Sequence, residues 1–524
     1  MNSTADRISA VLLLVIALVS LSARFRLIEE SLPYCRHGDE MLWVTRANKI
    51  LQTGDLNPHR FTKPGAHVYF MTAGLALGFV RASANLEVEE LEELGTKVCT
   101  TFPVPEAIQV AKNMYALVSV LAMVLAGVLA RRLSGIPATL FLAPLFITAS
   151  SSYLLYSWSY MNTNVLGGFA ILATIAYPLC ARDGVKSQRK ALLVGALAGL
   201  TIATKYNLFL ILIPACLYFV LYHRDRWLSH SFLVVGVAIL TFLAITPYAL
   251  LDVHAFVRDV GAEAYHYAYG HADLSKHTFE PGWPMFREYY SVLHESFGGL
   301  VIALSLIGLL RILVQDWKAG VVVFSFPILF LAYMSDQKTF FARNVLSLHL
   351  FIGLGAAIGF CFLVQALRTR VAQTESFRER PQLAAVAVAV VASLIVLASL
   401  PWANIAKAHE SNQEPRNLAT AWVHENAKPW HLLLIDRRLG LEIPKLRKAG
   451  FKLKLIEPLA GEDTLDELRA RHGSTLILYP SFRSAQQNAL FADVTPITEF
   501  VGRSTPSTGV ICGRLPPTVK IGWL

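Results

Sequence analysis

Residues 113–130 read Asn-Met-Tyr-Ala-Leu-Val-Ser-Val-Leu-Ala-Met-Val-Leu-Ala-Gly-Val-Leu-Ala, and Arg131-Arg132 follow at once. The run carries no charge, and it approaches the ~20 apolar residues that a helix needs to cross a bilayer. In hydrocarbon the backbone finds no partner but itself, so such a run must be helical. Ten further runs are almost free of charge: 8–23, 136–150, 163–181, 191–204, 207–222, 230–251, 297–310, 319–334, 345–366 and 382–402. Together they predict a polytopic α-helical membrane protein with about 11 transmembrane helices. A cleavage site of the Ala-x-Ala kind is missing after residues 8–23, so the first run reads as a membrane helix rather than a removed signal.

Composition agrees. Charged residues are 16% of the 524 and apolar ones 54%, where a soluble chain carries about 25% charge. The net charge of +10 invites a nucleic-acid reading, but its placement excludes one. Arg131-Arg132, Arg182 to Lys190, Arg224 with Arg226, Arg311 with Lys318, and Arg368 to Arg380 all fall in short loops between runs. With Met1 on the cytoplasmic side, every one of these loops is cytoplasmic, as the positive-inside rule requires. Residues 24–107, 252–296, 335–344 and 403–524 then lie outside. The apolar stretch 67–82 would invert all later loops if it crossed, so it reads as a re-entrant or interfacial helix.

The chain divides into a transmembrane module, 1–402, and a tail, 403–524. In the tail Trp430–Asp436, Phe451–Ile456 and Ser474–Tyr479 read as strands, and Glu442–Ala449 and Thr464–His472 as helices. That alternation predicts a small extracytoplasmic α/β domain, and it lacks the glycine-rich phosphate loop of nucleotide sites. Cys180, Cys216 and Cys361 lie in apolar runs and read as packing residues. Cys35 and Cys99 share the first outer loop, where a disulfide is possible chemistry. No Cys/His spacing suits zinc.

Polar groups gather on the outer face. His37-Gly38-Asp39-Glu40 follows the first span. Two adjacent acids on a helix point apart, so one of them can serve as a general base; the alternative is that Asp39 only starts the next helix. His59-Arg60-Phe61-Thr62-Lys63-Pro64 sets cations at the depth of a lipid phosphate, or of snorkelling side chains. Lys205 and Tyr206 sit at the outer tip between two runs, where an isolated lysine is unexpected. Asn162, Asn164, Asp252, Asp336, Lys338 and Arg343 lie at other outer run ends.

These pieces resemble the GT-C superfamily of polyprenyl-phosphate-sugar glycosyltransferases. They are similar to bacterial relatives of protein O-mannosyltransferases (family 39), to the lipid A aminoarabinose transferases (family 83), and to related core-sugar transferases. Asp39-Glu40 resembles the first-loop acidic motif, and Phe61-x-Lys63-Pro64 with Tyr69 the segment after it. Leu197–Asn207 resembles the helical hairpin, Thr246–Asp252 a helix end, and Arg343-Asn344 the start of a late helix. Tyr160–Asn164 stands where many relatives have an acid, Gly65 where they have a second proline, and His349 where a proline often follows. The resemblance implies sugar transfer outside the cytoplasm, from a polyprenyl-phosphate sugar to a lipid, glycan or protein acceptor, with no cofactor and no metal. It implies that Asp39, with Glu40, takes the acceptor's proton. Lys63, with Arg60, His59, Tyr69, Lys205, Tyr206 and Arg343, would hold the donor, and Asn162, Asn164 and Asp252 would lie behind them or at the acceptor. It places the protein in a bacterial plasma membrane. The competing readings are a transporter or lipid-linked sugar flippase, which commonly shows inverted repeats that this chain lacks, and a non-catalytic assembly subunit.

Overall fold

The computed structural model describes residues 4–32, 37–84, 105–181, 185–270 and 277–371, six residues between 390 and 398, and parts of the tail (415–428, 431–436, 446–447, 449–456, 475–481, 496–501 and 518–523). Cys35, Cys99 and most of the run 382–402 lie outside the described residues. Contacts divide the chain into two compact units: Met1–Glu29 with Trp43–Ala408, and Glu30–Leu42 with His409–Leu524.

The first unit is helical. Among the described residues six helices have the length and hydropathy to cross a membrane: Thr4–Ser31, Pro105–Ser134, Thr163–Cys180, Trp227–Ile245, Trp317–Ser335 and Ala342–Val371. Two bent pairs raise the number to eight, Thr139–Thr148 with Ser151–Trp158 at 75° and Trp283–Phe297 with Gly299–Gln315 at 103°. Both bends fall at an end of an apolar run, 136–150 and 297–310, and join it to a neighbouring helix. Ser150 caps the helix that starts at Ser151 by accepting from Tyr153 N, which ends the preceding segment. The run 207–222 divides into a 3-10 turn, Tyr206–Ile211, and a helix, Leu212–Tyr222. The stretch 67–82 forms one continuous helix, Gly65–Ser83, entered through Pro64.

Small residues bring these helices together, as expected where lipid removes the hydrophobic drive between spans. A Cβ on Gly74 would meet Ala111 Cα at 2.7 Å, so Gly65–Ser83 packs directly on Pro105–Ser134. A Cβ on Gly308 would collide with the Gly355 carbonyl, and one on Gly359 with that of Leu304. This is the close crossing of Gly299–Gln315 over Leu346–Val371. Lipid-side residues stay open: Phe232 is 70% and Leu240 68% exposed on Trp227–Ile245. One cation is buried within the first helix. Arg24 is fully enclosed, donating to Ser157 Oγ at 2.8 Å and to Ser20 O at 3.0 Å, which ties Thr4–Ser31 to Ser151–Trp158.

The second unit is a five-stranded sheet ordered β2-β1-β3-β5-β4. β1 is Leu432–Asp436, β2 Lys452–Ile456, β3 Leu476–Ser481, β4 Pro496–Val501 and β5 Thr518–Trp523. β1 pairs parallel with β2 and β3, whereas β5 runs antiparallel to β3 and β4. Leu433, Ile435, Leu476, Leu478 and Ile521 face the Pro415–Asn426 helix through Ala419 and Val423. The first three strands coincide with the three expected from the sequence of the tail. The helices expected at 442–449 and 464–472 fall almost wholly outside the described residues. Asn417 of the Pro415–Asn426 helix donates to the carbonyls of Glu30 and Leu32, and so binds this unit's own N-terminal segment.

Candidate functional site

Within the helical unit, polar side chains converge where four segments end. The Ser187–Thr204 helix stops at Lys205, whose backbone is extended (φ −160°, ψ 126°) before the 3-10 turn begins. The break turns the Lys205 side chain inward. Only 6% of the residue is exposed, and its ammonium donates to Asn164 Oδ1 at 2.9 Å and Asn344 Oδ1 at 2.8 Å. Both of these acceptors are neutral amide oxygens that fix the position of the ammonium. Asn162 supports the first of them. It caps Thr163–Cys180, and its Oδ1 accepts from both the backbone N and Nδ2 of Asn164 at 2.9 Å. Tyr267 donates to Asn344 Oδ1 at 3.3 Å from the other side.

Lys63 arrives on an irregular loop held by one face of a single helix. Asp252, Asp259 and Glu263 stand at i, i+7 and i+11 along Val253–Tyr269 and its N-cap, a spacing that aligns side chains on one stripe. Asp252 Oδ2 accepts from Asn57 Nδ2 at 2.9 Å, Asp259 Oδ2 from Phe61 N at 2.8 Å, and Glu263 Oε1 from Lys63 Nζ at 2.8 Å. Tyr69 adds a bond to Leu56 O at 3.0 Å. Burial alone would raise the Asp259 carboxyl, but the Arg258 and Phe61 hydrogen bonds, with the charges of Arg258 and Arg60, hold it below its ordinary value. A depressed carboxyl gives stability above its unfolded pKa of about 3.9 and loses it as pH falls through the lower folded value. The clamp is therefore expected to be constant from pH 5 to 8 and to fail only in stronger acid. Asp259→Ala should open the loop at neutral pH, costing about 1–3 kcal/mol for the orphaned Phe61 N–H. Limited proteolysis within residues 57–63, with and without the substitution, checks this.

Lys63 and Lys205 line one cavity of about 240 Å³, with Thr62, Tyr206, Asn207, Glu263, Tyr267 and Gln337 among its walls. Two buried polar atoms of its walls lack a hydrogen-bond partner, Tyr206 Oη and Asn207 Oδ1, as do Asn162 Nδ2 and Asn344 Nδ2 in the amide group that holds Lys205. Such orphans are rare in folded proteins and mark places that receive a polar ligand or water. Burial would raise the Glu263 carboxyl, yet the charge and hydrogen bond of Lys63, with His266 and Lys205 beyond, hold it below its ordinary value. The cavity thus presents two cations and one carboxylate at neutral pH. Among the described residues no three His, Cys, Asp or Glu side chains gather as metal ligands.

The sequence candidates divide cleanly. Lys63, Lys205 and Tyr206 line the cavity, and Asn162 and Asn164 stand behind Lys205. Asp252 and Tyr69 hold the Lys63 loop. His59 is half exposed and bonded to Asp55 at 2.7 Å, and neither it nor Arg60 is a lining residue. The Arg343 guanidinium lies 4.0 Å over the Phe341 ring. Asp39 and Glu40 belong to the second unit, in the first turn of Gly38–Thr53. They point apart as neighbours on a helix must: Glu40 is 1% exposed, while the Asp39 side chain is 41% exposed. Glu263, Asn344 and Tyr267 were not among the sequence candidates. The stripe Asp252, Asp259, Glu263 was a usable signal for the first of them.

The comparisons bear on this geometry. Residues 106–250 match the family model of dolichyl-phosphate-mannose-protein mannosyltransferases, a span that holds Asn162, Asn164, Lys205 and Tyr206. The crystal structure of ArnT from Cupriavidus metallidurans bound to undecaprenyl phosphate superposes with a TM-score of 0.50 at 12% identity, over 98% of this chain and 97% of that one. The chain has the GT-C fold. A second GT-C structure is the archaeal oligosaccharyltransferase AglB from Archaeoglobus fulgidus, in complex with an inhibitory peptide and a dolichol-phosphate. It superposes at 0.54 with 12% identity, over 82% of this chain and 62% of that one. A search of curated proteins by sequence finds no match. The GT-C architecture is that of an integral membrane protein, in keeping with the apolar helices.

Proposed function

We propose that the protein is a membrane glycosyltransferase that moves a sugar from a polyprenyl-phosphate donor to an extracytoplasmic lipid, glycan or protein acceptor. The observation that carries this reading is the cavity of Lys63 and Lys205, two cations beside orphaned polar atoms in an apolar helical frame. It is supported by relatives of the same fold bound to undecaprenyl phosphate and to dolichol-phosphate.

The chemistry follows. An acceptor oxygen attacks the sugar's C1, the bond from C1 to the phosphate oxygen breaks, and its electron pair leaves with the lipid phosphate. The acceptor's proton goes to Asp39, the exposed member of the acidic pair. Positive charge develops on the sugar ring, as in glycoside hydrolysis, and negative charge on the leaving phosphate. A fixed cation in a water-poor cleft is worth roughly 3–4 kcal/mol against that second charge. Asn164 and Asn344 fix Lys205, and Glu263 fixes Lys63. Tyr206 completes the donor side from the cavity wall; Arg343, stacked over Phe341, joins it only on the resemblance of Arg343-Asn344 to the late-helix motif. We place the cavity and the tail domain on the extracytoplasmic face of a bacterial plasma membrane, by the loop charges. The transfer is metal-independent in this reading, because lysines supply the charge that a divalent ion supplies to diphosphate donors.

The test is transfer itself. Purified protein in lipid nanodiscs, given a radiolabelled polyprenyl-phosphate sugar and membrane-extracted acceptor, should move label to the acceptor with no energy source and with EDTA present. Release of intact donor across the bilayer without transfer would instead mark a flippase. Loss of transfer on EDTA, restored by a divalent ion, would overturn metal independence alone.

A further inference from the structure

The transfer reaction uses the cavity's two cations, yet the cavity also holds a carboxylate. Glu263 Oε1 lies 2.8 Å from Lys63 Nζ, and the two side chains are only 25% and 18% exposed. Both line the cavity with Lys205. A carboxylate and a phosphate offer an ammonium the same kind of acceptor, an anionic oxygen at short distance. The two anions cannot share Lys63 at full strength, because each repels the other.

The neighbours leave Glu263 to this one task. Asp259, one turn earlier, is committed to Phe61 N and Arg258. Lys205 is bound by the amides of Asn164 and Asn344. The phenols of Tyr267 and Tyr206 stand nearby without a formal charge, and the further charges felt by Glu263 are those of His266 and Lys205.

We infer that Glu263 is a built-in competitor for the donor's phosphate. This rests on the donor reading above. The lipid phosphate enters by taking Lys63 from Glu263, and the pair re-forms as the phosphate leaves. The direction matters chemically. The donor phosphate is a diester with one negative charge, whereas the spent lipid phosphate is a monoester that gains a second. Two unopposed lysines would hold the spent lipid more tightly than the donor. A carboxylate waiting beside Lys63 offsets that preference and speeds release. Glu263 is then a positioning residue whose removal tightens binding and slows turnover.

The experiment compares wild type with Glu263→Gln, full length in nanodiscs, by equilibrium binding of polyprenyl monophosphate and by pre-steady-state transfer. The variant should bind polyprenyl monophosphate about tenfold more tightly. It should show a lower KM, a lower steady-state kcat and a burst in the first turnover. Equal or weaker binding by the variant overturns the inference, since a merely structural pair would lose affinity when broken. Failure of wild type and variant alike to bind overturns the donor reading itself, so the two failures are distinguishable. Should Glu263→Gln unfold on gel filtration, Glu263→Asp carries the same test, because it withdraws the carboxylate from Lys63 while keeping its charge. Tighter binding than wild type supports the competitor, and equal binding overturns it.

Discussion

Lys205→Met should lower sugar transfer roughly a hundred- to a thousandfold while leaving the membrane module folded. The ammonium is enclosed, 6% exposed, and held by two neutral oxygens. Its field is therefore directed into the cavity rather than spent on water. Methionine keeps the length and apolar stem but removes the charge. The cost to stability is bounded: Asn164 Oδ1 loses its lysine donor, worth about 1–3 kcal/mol, whereas Asn344 Oδ1 keeps the Tyr267 hydroxyl. Lys205→Arg should not restore full activity, since a planar fork cannot occupy the site of a point donor shaped by two amides. Thermal melting beside single-turnover rates separates the two effects. A folded Lys205→Met protein with wild-type turnover would remove Lys205 from the reaction.

Asp39→Asn should reduce kcat by about 10²- to 10⁴-fold, the range for loss of a positioned general base. The substitution is nearly isosteric and the side chain is 41% exposed, so the backbone link from Asp39 N to His37 Nδ1 at 3.1 Å can persist. Donor binding should be unchanged, because the lysines of the cavity are untouched. The pattern to look for is a fall in kcat with the affinity for polyprenyl phosphate held constant. An assembly subunit would tolerate the change, and transfer at the wild-type rate would assign the base elsewhere.

The legible part of this protein is the part that solvent dictates. Runs such as 113–130 have no option but to be helical in lipid. Strands β1 and β3 stand out as short apolar runs, and β2 as an alternation of lysine with apolar residues. Lys63 and Lys205 were legible because a cation beside an apolar run needs a reason. What escaped was set by tertiary contact. Glu263 lies 200 residues from Lys63 in sequence, inside an outer segment read only as a loop. The breaks at Ser150 and Lys205 carry no proline at the break itself. They arise from a serine cap and from an inward-turning lysine, and they fall at the ends of the runs 136–150 and 191–204, so the sequence showed where the helices stop but not the partners that stop them. β4 and β5 were missed because neither is a continuous apolar run: Thr498 and Glu499 interrupt Pro496–Val501, and Lys520 and Gly522 interrupt Thr518–Trp523.

The central claim is that the lipid phosphate sits between Lys63 and Lys205. A cryo-electron microscopy structure of the protein in nanodiscs with polyprenyl monophosphate measures this directly. The account predicts phosphate density within hydrogen-bonding distance of both lysine Nζ atoms, with the Glu263 carboxylate displaced from Lys63. Phosphate density elsewhere, with the Lys63–Glu263 pair intact in the lipid-bound protein, would contradict it.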